Sequence, residues 1–341
     1  MIEFAVPTID IGGWGSNAVA QATIARQVDL ACRTVGFMQI VGHGIPQAAV
    51  DGLTAAIDEF FALPPDLKRR SSAPRPSINR GYTSPGSERL SYSLGIESIS
   101  DMFEAFNLGA SIDDHPGLDL DPEIYAVNIW PDETTAFRPG ASRWFHEAAT
   151  LARTMTVVFA AALGLPDGFF TSYTDHSIDV LRLVNYPLPE GTSLQGDQLG
   201  MGAHTDYGIV TILWADPVPG LQVLDSNGTW HQVVPSPGAL LVNLGDLLAR
   251  WTNDRWMSTM HRVVPPVDPD GRSLRRRSAA FFHDGNADAV VSTVAACRNP
   301  DGSGYDDVTV GEHLAQKLAG SRGMELNDQA SHEASRITRG T

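Results

Sequence analysis

The chain has 341 residues, 43% hydrophobic and 19% charged, which excludes a disordered polymer and points to one large domain or two closely packed ones. Its net charge of −16 excludes the basic excess that nucleic acid or an anionic membrane surface would attract, and leaves a weak bias towards neutral or cationic small molecules. Two cysteines, Cys32 and Cys297, are too few for a disulfide framework, so a reducing, cytoplasmic location is expected.

Met1 to Asp10 carries Glu3 and Asp10 and lacks a basic region followed by an apolar core, so no secretory leader is expected. Ile24, Val28, Ala31 and Val35 recur at helical spacing and predict a helix over 17–35, closed by Gly36. Phe37 to Val41 reads as a short buried strand. A second helix is expected from Pro46, as a favoured first helical position, with Val50, Leu53, Ile57 and Phe60 as its apolar stripe. Residues 71–90, rich in Ser, Pro, Gly and Arg, read as a loop. A long helix is predicted over 139–163, with Phe145, Ala148, Ala152, Met155, Phe159 and Ala162 on one face and Gly164 at its end.

From about 178 the rhythm changes to short apolar runs broken by Gly, Pro, Asn and Asp. The runs are 179–186, 200–204, 209–214, 221–224, 229–234, 238–244, 257–264 and 277–283. Such short strands at such spacing point to a sandwich, jelly roll or barrel. Gly311 to Ala319 reads as a last helix, and 321–341 as a polar, frayed tail. No window approaches 18 uninterrupted apolar residues, so no transmembrane helix is expected. The expected division is a helical and mixed region over 1–177, a core over 178–300, and a C-terminal helix and tail over 301–341.

His204-Thr205-Asp206 ends one of the apolar runs. Residues two apart on a strand share a face, so the imidazole and the carboxylate can meet one point. With His261 they can form a 2-His-1-carboxylate triad that leaves positions open on a non-haem Fe(II) ion. By count the motif proves nothing: 10 His and 40 Asp and Glu in 341 residues give 10 × 40/341, about 1.2 chance His-x-acid matches. Its context raises it. Asn185-Tyr186-Pro187 precedes it, and Arg276-Arg277-Ser278 follows His261. An arginine fork beside a hydroxyl is suited to hold the far carboxylate of a keto acid.

Further blocks carry a family resemblance: Val6-Pro7-Thr8-Ile9-Asp10, Gly36-Phe37, Gly42-His43-Gly44-Ile45-Pro46, Asp101 to Gly109, Asn128-Ile129-Trp130-Pro131, Val242-Asn243-Leu244-Gly245-Asp246, Asn253-Asp254-Arg255-Trp256 and His261-Arg262-Val263. In these the chain resembles the isopenicillin N synthase-like family of Fe(II)/2-oxoglutarate-dependent oxygenases, from Val6 to about residue 317. It departs from many relatives in Gly285, where they carry Pro, and in a long segment between His261 and Arg276.

The resemblance implies a mixed α+β fold with a double-stranded β-helix, or jelly-roll, core backed by N-terminal helices. It implies Fe(II) on His204, Asp206 and His261, and 2-oxoglutarate on Arg276, Ser278 and Tyr186. O₂ is the co-substrate, ascorbate the reductant in vitro, and a small organic molecule the substrate, hydroxylated, desaturated or cyclised with release of succinate and CO₂. Nucleic-acid and membrane partners are not expected, and the oligomeric state is left open. Alternatives are an Fe(II) oxidase or cyclase that uses no 2-oxoglutarate, an ethylene-forming variant, a zinc-dependent hydrolase and a non-catalytic jelly-roll binding protein.

His43 reads as structural and His231 as a surface residue. His283 is left open, with packing favoured. Arg272 and Arg275 read as solvated. Phe282, six residues after Arg276, is expected on the same face, where it either touches substrate or packs the core. Val180, Arg182, Val184 and Tyr186 alternate on one run, so Arg182 is expected to face inward with Tyr186. There it meets either a carboxylate such as Glu104 or an anionic or carbonyl group of the substrate.

Overall fold

Asn17 accepts the Ala20 N–H and caps the first helix, and Gly36, at φ 70°, takes the left-handed conformation just beyond its end. The computed structural model describes residues 4–186, 199–267, 270, 274–322 and 325–327. The first half comprises β1 (Thr8–Asp10), α1 (Ala18–Thr34), β2 (Phe37–Val41), α2 (Gln47–Phe61), α3 (Pro65–Arg70), β3 (Gly81–Thr83), β4 (Glu104–Gly109) and α4 (Phe137–Leu163). Then follow α5 (Thr171–Thr174), β5 (Val180–Tyr186), β6 (Met201–His204), β7 (Val210–Ala215), β8 (Leu221–Leu224), β9 (Trp230–Gln232), β10 (Leu240–Leu244) and α6 (Asp246–Trp251). The chain continues with β11 (His261–Val263), β12 (Arg276–His283), β13 (Val290–Val291), β14 (Val308–Thr309) and α7 (Val310–Ser321).

Eight strands form one sheet in the order β1-β2-β10-β7-β12-β5-β4-β3, and four form a second in the order β6-β11-β8-β9. In the larger sheet β1 and β2 run parallel, and the other neighbours are antiparallel. The fold is mixed α+β with a jelly-roll core. The region before residue 178 does more than pack on this core, because β1 to β4 supply four of the eight strands of the larger sheet.

All five residues of β10 are buried, as expected of a central strand covered on both faces. One face of the larger sheet meets the helices. Phe281 of β12 packs edge-on against Phe145 of α4, and Phe60, Phe106 and Phe137 meet edge-on or tilted where α2, β4 and α4 come together. The other face turns towards the smaller sheet and lines a cavity between them.

The structure corrects several sequence readings. Pro46 is the N-cap of α2, one position before the helix. The stretch 71–90 contains β3, because Tyr82 reaches over Phe60 and pairs opposite Phe106. The short helix α6 after β10 has too few turns to show periodicity. Arg275 is exposed but not merely solvated, since it binds Asn185 and pairs with Asp58 at 2.7 Å. Arg272 lies outside the described residues. Most of the expected tail does too, but Ser321 belongs to α7 and Arg322 closes it.

Candidate active site

β6 and β11 are antiparallel neighbours that set His204 opposite His261. Their ring centroids are 4.3 Å apart. Asp206 lies just past the end of β6, with Oδ1 3.9 Å from His204 Nε2 and 3.7 Å from His261 Nε2. All three residues are buried, and their ligand atoms lie within 4.8 Å of one another.

The surroundings fix which atoms converge. His204 Nδ1 faces the Gly202 carbonyl at 2.7 Å, and His261 Nδ1 faces the Thr259 carbonyl at 3.0 Å. A carbonyl only accepts, so each Nδ1 carries the proton and each Nε2 keeps its lone pair. Asp206 Oδ2 accepts from Thr211 Oγ1 at 2.5 Å and from Asn243 Nδ2 at 2.6 Å, which leaves Oδ1 aimed at the two imidazoles. Burial, with His261 alongside, pushes His204 down to about 3, so the ring is neutral at physiological pH. Phe37 meets the His261 ring edge-on at 5.3 Å. Two neutral nitrogens and one carboxylate oxygen, each held by a second partner, are a donor set suited to a first-row divalent metal.

On the larger sheet Arg276 pairs with Tyr186, two places from Ser278. Arg276 is 2% exposed. Its guanidinium lies 5.2 Å from the Tyr186 ring centroid, and Nη1 points at Ser278 Oγ at 3.4 Å. Among the described residues no carboxylate lies within ion-pair distance of Arg276, and its Nε has no hydrogen-bond partner. Burial pulls this guanidinium below its ordinary value. A buried cation with an idle donor is costly unless a ligand supplies the anion. Arg277, one residue on, points to the other face and is spent on Asp216 and Asp58.

Both clusters open into a cavity of about 520 Å³. Val180, Arg182, Val184 and Tyr186 of β5 line it, as do Arg276, Ser278, Ala280 and Phe282 of β12. Arg182 therefore faces inward, but its carboxylate is Glu88 at 2.6 Å, not Glu104. Glu104 lies on β4 and is taken by Lys68, Tyr82 and Asn185. Phe282 is half-buried on the cavity face.

The other histidines lie elsewhere. His43 holds a turn through Gly238 and Ile45, and His231 is half-buried against Asp225 and Phe4. His283 is fully buried and faces Asp179 at 2.9 Å.

The sequence reading missed Thr211, Asn243, Glu88 and Arg322. Asn243 lies in the Val242–Asp246 motif, and the other three carry no local signal. It also assigned nothing to Asp284, a buried carboxyl in the cavity wall that burial and then Asp179 push well above the usual range.

Comparison with known proteins gives the same picture. Residues 6–133 match the family described as non-haem dioxygenase in morphine synthesis N-terminal, and residues 178–285 match the 2OG-Fe(II) oxygenase superfamily. The chain is 34% identical over 316 residues to the 2-oxoglutarate-Fe(II) type oxidoreductase hxnY of Emericella nidulans, covering 91% of this chain and 88% of that one. It is 32% identical over 302 residues to a homoarginine-6-hydroxylase of Oryza sativa subsp. japonica, covering 86% and 88%. Among solved structures, a full-length Neurospora crassa protein in complex with alpha-KG and thymine superposes with a TM-score of 0.80 at 28% identity, covering 92% of this chain and 96% of that one.

Proposed function

Because the chain belongs to the 2OG-Fe(II) oxygenase superfamily and is an Fe(II)/2-oxoglutarate-dependent dioxygenase of small organic molecules, we propose that His204, Asp206 and His261 hold its iron. Arg276, Ser278 and Tyr186 then hold 2-oxoglutarate. The observation that carries this assignment is Arg276 itself, a buried guanidinium with an idle Nε and no carboxylate partner among the described residues, on the same cavity as the triad.

Iron bound there supplies O₂ activation and the oxidative decarboxylation of 2-oxoglutarate to succinate and CO₂, coupled to oxidation of the substrate. The protein's residues supply position. Gly202 and Thr259 lock the tautomers of the two histidines, and Thr211 and Asn243 hold Asp206 with Oδ1 towards the two imidazoles, where it would be the third ligand. Arg276 gives the distal carboxylate of 2-oxoglutarate a charged seat, with the Ser278 and Tyr186 hydroxyls as added donors. The apolar part of the wall, with Phe282, Val180 and Leu213 in it, offers the hydrocarbon part of a substrate a surface to lie on.

Both cysteines are free thiols, which supports a cytoplasmic location, and no helix of the described residues is long and apolar enough to cross a membrane. The proposed partner is a small-molecule substrate, not nucleic acid or a membrane surface.

The test is succinate release with Fe(II), 2-oxoglutarate and ascorbate, with the metal content of each variant measured alongside. His204→Ala is expected to lose both bound iron and turnover, and full iron-dependent turnover by that variant sinks the assignment. Turnover that consumes no 2-oxoglutarate would favour the oxidase-like alternative.

A further inference from the structure

The end of the cavity away from Arg276 brings Arg182, Arg322 and Glu88 together. Arg182 Nη2 lies 2.6 Å from Glu88 Oε2, and Arg322 Nε lies 3.2 Å from Glu88 Oε1. One carboxylate is shared by two guanidiniums. Their side chains are 11% and 13% exposed, and that of Glu88 is 6% exposed. Among the described residues Arg182 Nε has no hydrogen-bond partner, and the Phe103 ring lies 4.9 Å from the guanidinium. Arg80, also in the wall, adds positive charge but spends its N–H groups on the Ala126, Asn79 and Ala110 carbonyls.

A further carboxyl close enough to act on Arg182 is Asp101. Its two oxygens accept the Leu90 and Gly202 N–H groups, and burial pushes it up to about 7, so it supplies only part of a balancing charge. A surplus buried cation is costly unless an anion meets it.

This end is built, not incidental. α7 brings Arg322 to the cavity by docking on the turn at Leu90–Leu94. The approach is so close that a Cβ on Gly320 would lie 2.8 Å from the backbone of Tyr92 and Ser93. The site is also separate from the keto-acid seat. Arg182 is four residues from Tyr186 on one strand face, about 13 Å along the strand.

We infer that Arg182 and Arg322 form a seat for a carboxylate of the primary substrate, so that this enzyme oxidises a small organic acid whose remainder lies along the apolar wall. The inference rests on the reading of the cavity proposed above. Within the trio of Arg182, Arg322 and Glu88 one positive charge is unmatched, and this suits a carboxylate better than a phosphate, which would bring up to two negative charges. The chain's overall charge of −16 does not set the field here, because the local surplus is buried and poorly screened.

The test uses the Fe(II)- and 2-oxoglutarate-loaded protein without oxygen, titrated by calorimetry with phenylacetate, 3-phenylpropanoate and 4-phenylbutanoate and with their carboxamides. At least one acid is expected to bind about tenfold or more tighter than its amide, as a charge-assisted contact requires. In Arg182→Leu that preference should fall to near one, with the affinity for 2-oxoglutarate kept. Arg322→Leu should reduce it as well, and replaces Arg182→Leu if that variant does not fold. Equal binding of acids and amides by the unaltered protein overturns the inference, as does a preference that survives both substitutions. Failure of the unaltered protein to bind 2-oxoglutarate overturns the earlier reading instead, and the same titration series shows which has failed.

Discussion

Arg276 and Arg182 lie on neighbouring strands, face one cavity and are both largely buried, yet their surroundings differ. Among the described residues Arg276 has no carboxylate within ion-pair distance, whereas Arg182 shares Glu88 with Arg322. The end proposed for the keto acid is thus a bare cation, suited to one fixed co-substrate. The far end is a cation cluster partly balanced by its own acid, where the protein has tempered its field. A site that binds the same molecule in every turnover tolerates an unpaired charge, because the ligand is always the partner. A site that selects a substrate gains discrimination from groups that are already partly satisfied, since only a ligand that improves on Glu88 binds well.

Both ends share one cavity with the proposed metal triad, so the largest expected effect is there. His204→Ala should abolish succinate release and reduce bound iron to background by metal analysis. Next is the bare cation. Losing a charge-assisted contact costs about 1.5–3 kcal/mol, so Arg276→Ala should weaken 2-oxoglutarate binding by roughly 10- to 150-fold, measured by calorimetry. Arg277→Ala is the control, because that side chain is spent on Asp216 and Asp58 on the opposite face. If Arg277→Ala weakens the keto acid as much, Arg276 is not its seat and the contrast with Arg182 collapses.

A smaller effect is expected from a residue that touches no ligand. Asn243 donates to Asp206 Oδ2 and leaves Oδ1 towards the two imidazoles, where the proposed metal would sit. Removing such a supporting contact commonly costs about 10- to 100-fold in metal affinity. Asn243→Ala should therefore weaken Fe(II) binding while the 2-oxoglutarate affinity of the iron-saturated protein is retained. Unaltered iron affinity would show that Thr211 alone is enough to orient Asp206.

The two ends also differ in how far the sequence revealed them. The triad and the Arg-x-Ser pair were legible because strand parity is local: His204 with Asp206, and Arg276 with Ser278, lie two residues apart. Parity also placed Arg182 on the inner face. It could not name Glu88, because that contact joins residues 94 apart through a loop with no periodicity. Arg322 was hidden for a related reason, since it follows the last turn of α7 in a stretch whose composition reads as a tail. The long helices α1, α2, α4 and α7 and the strands β2 and β5 to β12 were visible from apolar spacing, whereas α3, α5, α6, β1, β3, β13 and β14 are too short to show a period and β4, buried at all six residues, shows no alternation. Their edges are set by partners elsewhere in the chain.

The smallest expected effect on the site separates two adjacent rings. Phe281 and Phe282 follow each other on β12, so one must face the helices and the other the cavity. Phe281 is fully buried and meets Phe145 at 5.1 Å, while Phe282 is half-buried and lines the cavity near Val180. Phe281→Leu should lower stability by roughly 1 kcal/mol, seen as a lower Tm, with kinetics of the surviving enzyme unchanged. Phe282→Leu should leave the Tm near that of the unaltered protein. Trimming its ring removes apolar contact worth about 1 kcal/mol, so the KM for the acid that best stimulates succinate release should rise roughly fivefold. The distinction bears on the two arginines. Phe282 sits two residues beyond Ala280, which pairs with Arg182, so a substrate whose carboxylate is held at Arg182 has its apolar part within reach of that ring. If Phe282→Leu instead lowers the Tm and leaves the KM alone, the ring only packs the wall. The substrate would then have to leave Arg182 in another direction.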